Sequence, residues 1–103
     1  MKKGLRRSER VYVRIPILIR GIDGNGLTFS EKASILALSK HGAAVEFNRL
    51  LDLGMGLTID TANAKRFEAT VVWVGNAMSK TTGQVGIECN GLSDSLGFHF
   101  PSF

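Results

Sequence analysis

At 103 residues, 44% hydrophobic and 21% charged, the chain has room for one domain with a modest core, and little for a second. Its net charge of +4 is unevenly spread: Lys2, Lys3, Arg6, Arg7, Arg10 and Arg14 are six of its 13 basic residues, opposed in that stretch only by Glu9. The remainder is nearly neutral, which argues against a uniformly basic nucleic-acid-coating surface and places the charge on an N-terminal arm. Such an arm suits an anionic partner (a nucleotide, a nucleic acid or an acidic surface), but without further pattern the charge alone favours a solvated, solubilising tail.

Residues 1–9 have no apolar periodicity and are expected to form a flexible basic arm. No apolar segment follows Lys2 and Lys3 as a secretory leader would require, and the run 15–19 between Arg14 and Arg20 is far too short to span a bilayer. With the lone Cys89 unable to form an internal disulfide, the expectation is a cytoplasmic protein without membrane insertion.

From Val11 the chain becomes β-rich. Residues 13–22 read as a first strand, Asp23-Gly24-Asn25-Gly26 as a tight turn, and 27–39 as a second strand returning antiparallel. After a break at Lys40-His41-Gly42, Ala43, Val45 and Phe47 alternate with Ala44, Glu46 and Asn48, the mark of a half-buried strand. Residues 49–53 connect to a short strand over 57–60. Residues 61–64 turn into a strand over 66–74, where Val71-Val72-Trp73-Val74 has high β preference. A polar loop over 75–83 precedes a last strand at 84–89, and a short turn near 93–96 leads to an aromatic tail. Six short strands with Gly-rich turns predict an all-β, six-stranded antiparallel barrel as a single domain over 1–103, with residues 10–103 forming barrel and tail.

Catalytic signatures are missing. His41 and His99 have no Cys or His at metal-ligand spacing, and there is no phosphate-binding glycine loop opening a helix. Ser39 and His41, two apart at a strand end, do not specify a nucleophile and base. The expectation is a non-catalytic binding domain without cofactor or metal.

Two features look arranged: Arg10-x-x-x-Arg14 followed by Ile15-Pro16, and Leu38-Ser39-Lys40-His41-Gly42-Ala43 at the end of the second strand. Strand alternation predicts Leu36 and Leu38 on the core face, with Ala37 and Ser39 outward. Gly42 would permit a sharp exit that keeps this surface open.

Together these stretches resemble the PilZ domain family of bacterial cyclic di-GMP receptors, marked by RxxxR before the first strand and [DN]xSxxG where the second ends. Residues 51–58, the Trp73 strand and Val85-Gly86-Ile87-Glu88 are similar to its later landmarks. The resemblance implies a PilZ-like β-barrel and a signalling role in which the arginine arm closes on cyclic di-GMP and alters a contact with an effector protein. It makes Arg10 and Arg14 the principal ligand arginines, Ser39 and Gly42 the floor, and Arg6 and Arg7 further phosphate contacts. Arginine suits this task because it pairs bidentately with phosphate or with the guanine O6/N7 edge.

One departure stands out. The family's acidic or amide position is Ala37, whose methyl cannot accept from guanine N–H donors, a loss of about 1–3 kcal/mol. The alternative reading is therefore a degenerate PilZ-like domain that acts through protein–protein contacts. A nucleic-acid-binding barrel is disfavoured by the near-neutral body and the lack of an aromatic stacking row.

Overall fold

Alternating apolar residues and glycine-rich corners fold this chain into strands that close on themselves. The computed structural model describes residues 10–49, 51–75 and 83–99; the predicted arm over 1–9 with Arg6 and Arg7, most of the loop at 75–83 and the end of the tail lie outside them. The strands are β1 (Val11–Ile22), β2 (Thr28–Leu38), β3 (Gly42–Glu46), β4 (Gly56–Thr61), β5 (Arg66–Val74) and β6 (Gln84–Glu88). A four-residue helix, α1 (Leu92–Ser95), follows. All pairings are antiparallel and the order β1-β2-β3-β6-β5-β4 closes into a barrel through β1–β4. Closure pairs β1 with β4 over Ile17–Arg20, so the sheet has no free edge along that stretch.

Inward-facing residues fill the barrel. Ile17 and Ile19 of β1, Ile35 and Leu38 of β2, Val45 of β3, Leu57 and Ile59 of β4, Val71 of β5 and Val85 and Ile87 of β6 form one buried cluster. Each such side chain fully withdrawn from water contributes roughly 1.5–3 kcal/mol. Leu92 of α1 enters the same cluster, with Phe67, Leu96 and Phe98 packed against it. The short helix thus covers a barrel end that the strands leave open.

The predicted alternation of β2 is corrected at its end. The β2–β3 register shifts between Ile35 and Ala37, leaving Leu36 as an extra residue at a bulge. Ile35 and Leu38 both turn inward, while Leu36 is only half-buried and stands outside the core cluster. Similar shifts occur between Tyr12 and Ile15 on β1 and between Val71 and Trp73 on β5.

The β1–β2 turn is built around Asp23. Its Oδ1 accepts from Asn25 N–H at 2.9 Å and from Leu27 N–H at 3.0 Å, and Gly26 N–H donates to its carbonyl at 2.9 Å. Gly26 takes the positive φ, 82°, that this closure needs. Arg49, beyond β3, reaches back to the turn. Nη1 donates to Asp23 Oδ2 at 2.7 Å, Nη2 pairs with Glu31, and the guanidinium lies 4.8 Å from the Phe29 ring centroid.

The Leu27 N–H, and after it Arg49, hold the Asp23 carboxyl below its ordinary value of 3.8; Arg66 first, with Arg20, does the same for Asp60. Both groups bind protons more weakly folded than unfolded, so their stabilisation is complete above that value and is lost as pH falls through the lowered folded values. The melting temperature is expected to hold from neutral pH to about 4.5 and to drop steeply below about 4. Asp23→Asn should flatten that acid limb; a decline starting near pH 6 would assign the sensitivity to a histidine instead.

Candidate functional site

The three register shifts converge on one outer face of the barrel. There the pairings Tyr12↔Ala37, Ala37↔Ala44, Ala44↔Gly86 and Gly86↔Trp73 form a continuous row across five strands. Paired residues share a face, so this row is a shelf of two methyls and a glycine between two aromatics. Trp73 lies directly over Gly86: any Cβ at 86 would fall within its indole ring. Ala37 and Ala44 of this row floor a cleft of about 310 Å³, walled by Arg10, Ser39, His41, Gly42, Val72, Trp73 and Glu88, while Gly86 lies beneath the Trp73 indole.

Arg10, Ser39 and Gly42 are thus brought together, and Ala37 lies beside them in the cleft. Ala37 does face away from the core cluster, as alternation predicts, but it is only 4% exposed. It is a covered floor position and not an outward-projecting one.

Arg14 is placed differently. Its side chain is 64% exposed, pairs with Glu46 of β3 at 3.1 Å (Nη1 to Oε1), and does not line the cleft. Exposed ion pairs of this kind are worth about 0–1 kcal/mol, so the contact is easily exchanged for another anion. Arg6 and Arg7 lie outside the described residues.

Residues 39–42 form a tight corner between β2 and β3. Ser39 N–H donates to the Gly42 carbonyl at 2.9 Å and Ser39 Oγ donates to the same oxygen at 3.3 Å. The hydroxyl proton is therefore directed at a carbonyl, away from the role a nucleophile would need with His41. Gly42 is required by close backbone approach: a Cβ there would overlap the Ile87 carbonyl oxygen and sit 3.0 Å from its carbon. The Cys89 thiol is buried, and burial pushes it up to about 11, leaving it protonated at neutral pH.

His41, Trp73 and Glu88, to which neither motif gives a ligand role, all line the cleft. The signal for Trp73 is present in Gly86, since a glycine inside a strand marks close approach by another group.

Comparison with known proteins bears on this geometry. Residues 4–97 match the family model described as PilZ domain. Among solved structures, the chain is similar to one described as the crystal structure of the PilZ domain of CeSA from a cellulose-synthesizing bacterium. The TM-score is 0.57 at 20% identity, with 81% of each chain covered, a likeness of fold. No curated protein matches.

Proposed function

We propose, because this chain belongs to the PilZ domain family, whose members are generally cyclic di-GMP-binding and non-catalytic modules, that it is itself a non-catalytic cyclic di-GMP receptor. Arg10 supplies phosphate or guanine contacts, Ser39 and Gly42 shape the floor, and Arg14 joins by exchanging Glu46 for the ligand. Closure of the arginine-bearing arm over the cleft then alters a contact with an effector protein. The observation that carries this reading is the cleft itself, which gathers Arg10, Ser39 and Gly42 over a floor of small side chains.

A second reading rests on Ala37. With no acceptor at that position, a domain acting only through protein contacts would keep the barrel and lose the ligand. Among the described residues no helix is long and apolar enough to cross a membrane, so neither reading calls on a membrane-spanning helix.

Calorimetry separates the two readings. Saturable binding of cyclic di-GMP that exceeds binding of cyclic di-AMP supports the receptor. Absence of heat with either nucleotide, from a chain that melts cooperatively, supports the protein-contact reading.

A further inference from the structure

We infer that Glu88 is the guanine-reading acceptor of this cleft, taking from the β6 wall the role that Ala37 cannot perform on the floor; this rests on the receptor reading above. Ile87 enters the core, so alternation turns the next side chain outward, and Glu88 is exposed at the cleft wall. In register it stands opposite Gly42 on one side and Thr70 on the other. Gly42 has no side chain to cover it, and the Ile87 backbone contact prevents that position from acquiring one.

Among the described residues Glu88 has no ion-pair partner. Glu46, the other acid on this outer face of β3 and β6, is held by Arg14. A lone carboxylate beside a site for a dianion is repulsive unless the ligand presents donors to it. Guanine does: its N1–H and exocyclic N2–H lie side by side and match two carboxylate oxygens, which only accept. Adenine offers no such adjacent pair. The cleft therefore sets Arg10 for anionic or O6/N7 acceptors and Glu88 for a donor edge, the two chemistries that coexist in a guanine nucleotide.

The placement differs from that of the missing acceptor. Glu88 lies two strands across from Ala37 and two residues along, roughly 12 Å away by sheet spacings. A base read by Glu88 would rest on Ala44, beside Trp73.

The test compares the native chain, Glu88→Gln and Glu88→Ala by calorimetry with cyclic di-GMP and with its inosine analogue, which lacks both N2 amino groups. The native chain is expected to prefer cyclic di-GMP. Glu88→Gln and Glu88→Ala should each weaken cyclic di-GMP by about tenfold or more and erase most of the preference over the analogue. Simple charge repulsion predicts the reverse, tighter binding once the negative charge is removed. Unchanged or tighter binding by Glu88→Gln overturns this assignment while leaving the receptor reading intact. No binding by the native chain overturns both.

Discussion

Gly42→Ala is expected to destabilise the barrel by about 3 kcal/mol, the upper end of the usual cost of overpacking. The added methyl meets the Ile87 carbonyl oxygen, a backbone atom, and no rotamer change can relieve the overlap. β3 and β6 must separate where Gly42 pairs with Glu88, and the 39–42 corner moves with them. For a domain of this size the loss corresponds to a fall in melting temperature of about 15 °C. Gly56→Ala is the matched control. Its nearest non-neighbouring atom would be the Ala69 carbonyl oxygen at 4.0 Å, an ordinary contact, so its melting temperature should stay close to the native value. Equal losses from both would show that the β3–β6 approach is not what demands glycine.

Removing the Arg10 side chain should be the most damaging single change to ligand binding. A charge-assisted hydrogen bond in a cleft is worth about 1.5–3 kcal/mol, so Arg10→Ala should weaken cyclic di-GMP by roughly 10- to 100-fold. Arg14→Ala should cost less. Arg14 must first leave Glu46, and the energy of that exposed pair, up to about 1 kcal/mol, is subtracted from whatever it gains on the ligand. Arg66→Ala should leave affinity unchanged, since Arg66 is tied to Asp60 and does not line the cleft. Calorimetry on the three variants checks the order. Equal weakening by all three would mean that binding responds to overall charge and not to a site.

Most of the barrel could be read from the residues. The alternation of Ala43, Val45 and Phe47, the β-branched run at Val71–Val74 and the Asp23–Gly26 turn each mark local structure through near-neighbour chemistry. What escaped were long-range effects. The bulge at Leu36 depends on how β2 meets β3 and changes which residue enters the core, so strict alternation selects Leu36 where Ile35 is buried. The Arg49 contact with Asp23 and Glu31 joins residues 26 and 18 positions apart, with no spacing rule to announce it. At the site, motif spacing groups Arg10 with Arg14; β1 shifts register between Tyr12 and Ile15, and Arg14 pairs with Glu46 while Arg10 lines the cleft. Glu88 and Trp73 join the cleft only because β6 lies between β3 and β5.

Cyclic di-GMP is expected to occupy the cleft over Ala37 and Ala44, beside Trp73. Trp73, the single tryptophan of the chain, forms one wall of that cleft and contributes the only indole N–H resonance in an amide correlation spectrum. Titration with cyclic di-GMP should move that resonance saturably, together with the backbone amides of Ser39, Gly42 and Ala44. The Asn25 and Leu27 amides of the Asp23 turn, bonded to its carboxylate and outside the cleft wall, should stay in place. An indole resonance that stays fixed while the nucleotide binds would place the ligand elsewhere. No change at any residue would leave the cleft without its nucleotide.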